Sequence, residues 1–413
     1  MKIVHISHLY HPSQGGVQIF FKNISERLVR DYGDDVTVVT TDSIYGPERK
    51  IYKLAGPKHE TINGVKVIRF PFKRWHIKPY FLLSKVFKKL SINMPEKFSL
   101  LAYGPYSPAM KKYLLKSDAD IFCGSSINYY HMQLPLWRKC NFFFQGSIHL
   151  DEDETKKTLL NTQVQAIKAS TLYFANTAYE KERLKKLGIA EKKVFILGVG
   201  VNMNDFVCNR DEIENFRANL AIPIHAVVVG YVGRIERPKN IALLMKAFLN
   251  LAVNDGNLYL LIAGSANTHL DELKQFCSGY PADVLIRIKW VINFSFEEKR
   301  LVFNAIDILV LTSHYESFGI VFLEAWSCRK PVIGTNIGAI RNVVNDEEDG
   351  LLINVNDEAH LASQLTRLIT DKTLRDNLGI AGYNKVKENY TWDIIVSRLR
   401  KCYVNALKKS NYN

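Results

Sequence analysis

No stretch of this sequence stays apolar for the roughly 18 residues that a membrane-crossing helix needs, which argues against a spanning segment. The opening Met1-Lys-Ile-Val-His-Ile-Ser-His8 is too short and too polar for a secretory leader and reads as a buried first strand. Cysteine is sparse. Six residues (Cys123, Cys140, Cys208, Cys277, Cys328, Cys402) are scattered without a C-x-x-C pair. That pattern fits neither a disulfide framework nor a zinc module, and it points to a reducing cytoplasm. There is no internal repeat, and no low-complexity segment before the last few residues, Lys408 to Asn413.

What is present is ordinary globular material, 47% hydrophobic and 23% charged. A length of 413 residues favours two domains. The net charge of +14 is unevenly placed. Residues 1–205 hold 31 Lys and Arg against 18 Asp and Glu, whereas the remainder holds 24 against 23. A basic first half suggests an anionic partner there: phospholipid, lipid diphosphate or nucleic acid.

The second half reads as alternating strands and helices. Strands are expected at Ala226 to Val232, Leu258 to Ala263, Val284 to Val291, Asp307 to Leu311 and Pro331 to Gly334. Helices are expected over Asn240 to Ala252, from the capping box Ser295-Phe-Glu-Glu298 through Ile306, and over Phe318 to Cys328. The first half begins the same way. A strand at Lys2 to Ile6 leads through Gly15-Gly16 into a helix carrying Val17, Phe20, Ile24 and Leu28 on one face, and Asp35 to Thr41 follows as a strand. Further strands are expected at Ile121–Cys123, Phe142–Phe144, Leu172–Ala175 and Val194–Leu197; Tyr45 to Pro108 is less regular. This rhythm predicts an α/β protein of two Rossmann-like doubly wound domains meeting near Gly200 to Asn209. Placed face to face, they would form a cleft for ligands.

The segment richest in chemistry is Ser313-His-Tyr-Glu316-Ser-Phe318-Gly319-Ile320-Val-Phe-Leu-Glu324. It follows a strand and opens a helix, so free N–H groups there suit a phosphate or a developing oxyanion. Glu316, in the loop, would face sugar and phosphate; Glu324, further along, could accept two hydrogen bonds from ribose hydroxyls. A glycine turn with two solvated glutamates is the plain alternative. Gly233-Arg234-Ile-Glu-Arg-Pro-Lys239-Asn240 also links a strand to a helix. Arg234 and Lys239 would converge with that helix start on a pyrophosphate and stabilise charge on a leaving nucleoside diphosphate, whereas Arg237 reads as a surface residue. Gly15-Gly16 departs from G-x-G-x-x-G; it fits either a glycine loop approaching a phosphate or sugar, or a plain left-handed turn before a helix.

Taken together these features resemble glycosyltransferase family 4, the large GT-B group of retaining enzymes. The likeness spans nearly the whole chain. It adds an N-domain histidine (His149), the link Leu197-Gly-Val-Gly-Val-Asn-Met-Asn-Asp-Phe206 and Tyr390-Thr-Trp392 before a last helix. It implies domains at 1–203 (acceptor-binding) and 204–390 (nucleotide-sugar-binding), with 391–413 as a helix crossing back to the first. It implies that Glu316 contacts the donor sugar, that Arg234 and Lys239 bind the diphosphate, and that the backbone of Phe318, Gly319 and Ile320 supports phosphate and sugar. Glu324 would hold the ribose, Gly15 and Gly16 would admit the diphosphate, and Val291 would meet the base through its backbone. His149 would bond a sugar hydroxyl. The chain departs from the family at Asn202, where Asp is common, and near Trp290-Val291, which lacks a glycine often found there.

The reaction implied is transfer of a sugar from a nucleotide-diphosphate donor to a glycan or lipid-linked acceptor, by attack from the leaving-group side, with domain closure excluding water. No cofactor or metal is required, since Arg, Lys and helix dipoles carry the charge; Asp151-Glu-Asp153 reads as a solvated loop. Residues 72–90 mix aromatic, aliphatic and basic side chains and suggest a peripheral contact with an anionic membrane surface at the inner face, centred on Trp75 to Lys89, against the alternative of an ordinary basic outer helix. Competing readings are a GT-B epimerase, a glycan phosphorylase, which would need a pyridoxal-phosphate lysine, and a nucleic-acid-binding protein. The basic residues follow no nucleic-acid motif.

Overall fold

A computed structural model describes residues 1–13, 15–45, 51–53, 56–72, 82–83, 85–87, 89–90, 92, 95–102, 105–146 and 159–410. The chain divides into two compact units. One comprises Met1–Gly198 and Ile395–Asn413, the other Val199–Ile394.

The first unit is built on an eight-stranded sheet. Its order is Val194–Ile196, Leu172–Ala175, Phe142–Gln145, Ile121–Ser125, Lys2–Ile6, Asp35–Thr41, Val65–Phe70 and His59–Ile62. Pairing is parallel except for the last strand, which returns antiparallel to Val65–Phe70. The turn between those two is Asn63-Gly64, with φ of 50° and 83°. Two positive φ values are what a tight hairpin turn demands, and Asn-Gly supplies them. The central strands are nearly all apolar because helices cover both faces. The helix Gly16–Tyr32 buries Phe20, Phe21, Ile24 and Leu28 and stops at Gly33, which takes the left-handed conformation (φ 64°). The helix Trp392–Ser410 packs in this unit from Ile395 onward. Tyr403 of that helix meets Phe143 edge-on at 4.7 Å. Arg400 Nε donates to the buried Asp34 Oδ2 at 2.8 Å, and the Met1 ammonium lies 2.9 Å from Asp34 Oδ1. Two cations thus neutralise one carboxylate withdrawn from water.

The second unit holds six parallel strands in the order Ile288–Ile292, Leu258–Gly264, Val227–Val232, Ile308–Leu311, Val332–Thr335 and Leu351–Ile353. The chain builds outward from Val227–Val232 to one edge, then restarts beside it with Ile308–Leu311. This is the doubly wound pattern, and the reversal between those two neighbours is the switch point at which such sheets bind ligands. The expected strand from Val284 to Val291 is corrected. Ala282–Leu285 forms a helical turn and the strand starts at Ile288. Arg287 explains the break: its guanidinium turns inward to donate to the carbonyls of Asp283 and Ala252 at 3.0 and 2.8 Å. A short apolar run does not by itself distinguish strand from helix. Beyond the last strand lie the helices Glu358–Thr370 and Lys372–Asn389, capped by Asp357 and Asp371.

All six cysteines are free. Among the described residues no helix is long and apolar enough to cross a membrane.

Candidate active site

Two loops leave the sheet of the second unit at its switch point. The first follows Val227–Val232. Gly233 N–H donates to Ala263 O at 2.9 Å, and a Cβ on Gly264 would stand 1.8 Å from Gly233 O, so glycine at 264 is what lets the two backbones approach. Tyr231, fully buried on the strand, donates its hydroxyl to Arg234 O at 2.6 Å and folds the loop back. Burial, then the charges of Glu316 and Glu236, push the Tyr231 hydroxyl well above the usual tyrosine range, so it serves as a donor. The Arg234 guanidinium is half-exposed and pairs with Glu236 at 3.2 Å. Arg237 is exposed and pairs with Glu272. Asn240, at φ 49°, turns the chain into the helix Ile241–Ala252.

The second loop follows Ile308–Leu311 and is fastened to the first. Buried Thr312 shares its one hydroxyl proton between two carbonyls, Asn240 O at 2.8 Å and Lys239 O at 3.1 Å. His314 N–H donates to Pro238 O at 2.9 Å. Across this seam Lys239 Nζ lies 2.5 Å from Glu316 Oε1, which also accepts from Ser313 Oγ at 3.1 Å. Thr335 Oγ1 donates to Ser313 O at 2.6 Å and ties in the next strand. Lys239 and Glu316, 77 residues apart, therefore share one point. Arg234 belongs to the same loop as Lys239, with its charge turned to Glu236.

The loop enters the helix Ile320–Ser327 through Gly319, at φ 87°. The first turn of this helix contains no acidic residue and Gly319 has no side chain to cap it, so its N–H groups receive no side-chain acceptor; that of Phe322 is held by Gly319 O at 2.9 Å. Phe318 is buried, with its ring edge-on to Tyr390 at 5.7 Å. Glu324 lies one turn into the helix and is buried; Lys299 of the helix Phe296–Ala305 pairs with its Oε1. Val291 lies on the edge strand of the sheet, in register with Ala263.

In the first unit, Gly15 precedes the helix Gly16–Tyr32 with φ 175°. That is extended backbone open to any residue, so the left-handed turn weighed above is not what this glycine provides. The first turn of this helix also lacks an acidic residue and a capping side chain. His149 and Asp151-Glu-Asp153 lie outside the described residues, as do residues 73–81 of the basic segment.

Several contributors carried no sequence signal of their own. Tyr231 reads as a strand residue, Thr312 as a strand end, Ser313 as an unremarkable position at the start of its loop, and Lys299 as one lysine on an amphipathic helix. Only the fold brings them to the two loops.

The family model described as Glycosyl transferases group 1 matches residues 212–385, the stretch that contains both loops. An uncharacterized glycosyltransferase of Methanocaldococcus jannaschii is 25% identical over 99% of this chain and 99% of its own. The capsular polysaccharide biosynthesis glycosyltransferase CapM of Staphylococcus aureus is 32% identical over 53% of this chain, which spans 57% of that relative's length. In three dimensions the chain is similar to Anabaena HepE, solved in complex with UDP, with a TM-score of 0.74, 16% identity, and coverage of 98% and 100% of the two chains. Residues 212–385 thus match the group 1 glycosyltransferase family, and the chain, similar to family 4, is a glycosyltransferase of the GT-B fold.

Proposed function

We propose that this enzyme transfers a hexose from a UDP- or GDP-sugar to a glycan or lipid-linked acceptor in cell-surface polysaccharide or glycolipid synthesis, with retention at the anomeric carbon. The observation that carries this reading is the meeting of Lys239 and Glu316 at the switch point, beside the uncapped helix start at Gly319. CapM, named for capsular polysaccharide synthesis, and HepE, solved with UDP, support the substrate class.

In this reading Lys239, Arg234 and the N–H groups of Phe318, Gly319 and Ile320 stabilise charge on the departing diphosphate. Lys239 needs only to turn its ammonium from Glu316 to the phosphate. Glu316 is then free to accept from sugar hydroxyls on the face opposite the leaving group. Glu324 holds the ribose, and Val291 meets the base through its backbone. Gly15 and Gly16 are proposed as donor contacts, His149 as the partner of a sugar hydroxyl, and the first unit as the acceptor-binding one. The acceptor hydroxyl attacks from the leaving-group side, the departing phosphate takes its proton, and positioning supplies much of the acceleration. The protein's own cations do the work that a metal does in other transferases.

The basic segment 72–90 is proposed to bring the enzyme to an anionic membrane surface at the cytoplasmic face. Leu82, Leu83, Val86 and Leu90 are exposed, interleaved with exposed Lys85 and Lys89. Salt-sensitive flotation with acidic but not neutral liposomes tests this, and absence of binding overturns it.

The deciding experiment incubates the enzyme with UDP-, GDP- and ADP-sugars and membrane-extracted acceptors, then reads the product by NMR. A glycoside with the donor's anomeric configuration is expected. An inverted product contradicts the mechanism, and conversion of donor without acceptor would make the chain an epimerase.

A further inference from the structure

The two carboxylate oxygens of Glu324 have different surroundings. Oε1 takes a hydrogen bond and ion pair from Lys299 Nζ. Oε2 is buried and has no hydrogen-bond partner among the described residues. Glu324 as a whole is 6% exposed. A charged acceptor taken out of water with nothing to accept from is unfavourable, so such an atom stays unsatisfied until a donor is brought to it. Lys299 is well placed to hold the other oxygen. Its helix, Phe296–Ala305, is started by a two-way capping box between Ser295 and Glu298 and is anchored by buried Val302, Phe303 and Ala305. The adjacent cation Arg300 is committed elsewhere, to Glu212 at 2.6 Å, so it does not compete for Glu324.

We propose that Lys299 is a positioning residue for nucleotide recognition: by holding Oε1 it directs the unpartnered Oε2 of Glu324 at a hydroxyl of the donor's ribose. The proposal rests on Glu324 being the ribose contact. A free glutamate loses rotamer entropy when it docks a diol. Here the ion pair fixes the side chain beforehand, and the counter-charge offsets the desolvation of the carboxylate before any ligand arrives. Lys299 need not touch the nucleotide. Its effect is therefore selective: it strengthens binding only of nucleotides that carry the hydroxyl.

Calorimetric titration of UDP and of its 2′-deoxy and 3′-deoxy forms against the intact enzyme tests this, with the guanosine set used in parallel. For the base accepted, the wild type is expected to prefer the ribonucleotide over at least one deoxy form by about 10-fold, the worth of a hydrogen bond to a charged group. Lys299→Met should bring that ratio close to 1, Lys299→Arg should restore it, and in turnover Lys299→Met should raise donor KM with little change in kcat. Lys299→Gln, which keeps an N–H donor, serves if the methionine variant does not fold, and should give a reduced ratio. A ratio unchanged in the lysine variants, with all nucleotides weakened equally, overturns the proposal while the ribose reading stands. Glu324→Gln separates the two: if it leaves the ratio at the wild-type value, the ribose reading itself fails.

Discussion

Lys239 Nζ lies 2.5 Å from Glu316 Oε1, with the two side chains only 12% and 13% exposed. A pair so enclosed is strongly coupled, because removing either partner leaves the other charge without compensation. Lys239→Ala and Glu316→Ala are each expected to lower kcat by about 10²- to 10³-fold, the range seen when a group stabilising transition-state charge is removed. The double variant should be clearly less impaired than the product of the two losses. Steady-state kinetics of the four proteins measure this, and strictly multiplicative losses would mean the two side chains act separately.

Gly319 enters its helix at φ 87°, and a Cβ there would stand 2.7 Å from Phe322 Cδ2. Gly319→Ala therefore combines backbone strain with a clash against a buried ring. A loss of about 1–3 kcal/mol in stability is expected, with a further fall in donor affinity as the N–H groups turn away. Urea unfolding and donor titration read the two effects. An alanine variant with wild-type stability and affinity would show that this turn has freedom the geometry denies it.

His5, His8 and His131 are buried in the first unit, His8 Nε2 lying 2.8 Å from His131 Nδ1. Burial lowers His5 to about 3 and His131 to about 4, and burial followed by the nearby His131 lowers His8 well below the usual histidine range. Below about pH 6.5 the unfolded chain takes up protons that the folded chain refuses, so stability falls as pH falls. Each histidine contributes about 1.4 kcal/mol per pH unit until its folded pKa is reached. Urea midpoints at pH 7, 6 and 5 should fall in that order, and His131→Asn should flatten the trend. Stability that is level or rising toward pH 5 would contradict it.

Charge at the proposed diphosphate site is carried by Lys239, Arg234 and helix starts. EDTA is therefore expected to leave transfer largely intact. A complete loss reversed by Mg²⁺ would require a metal at the diphosphate and would displace Lys239 and Arg234 from their proposed roles.

Strands with strong β-branched or aromatic runs were legible from the sequence: Asp35–Thr41 and Leu172–Ala175 fall where the pattern places them. The capping box at Ser295 also located its helix. The break at Arg287 was not legible, because it depends on where a guanidinium finds carbonyls 4 and 35 residues away. The hairpin at Asn63-Gly64 carries a readable turn signal that the irregular surroundings obscured. Within the site, the loops could be found from glycine and charge spacing. The pairing of Lys239 with Glu316, and of Lys299 with Glu324, could not, since it is set by strand order and not by proximity in the chain.

Binding of nucleoside diphosphates compared with their monophosphates is the most direct measure of whether Lys239 and its loop gather a pyrophosphate. Isothermal titration of UDP, UMP, GDP and GMP against the wild type and Lys239→Ala is expected to show one diphosphate bound at least about 10-fold more tightly than its monophosphate, an advantage of about 1.4 kcal/mol or more that the substitution removes. Equal affinity for diphosphate and monophosphate in the wild type, unaltered by Lys239→Ala, would contradict it.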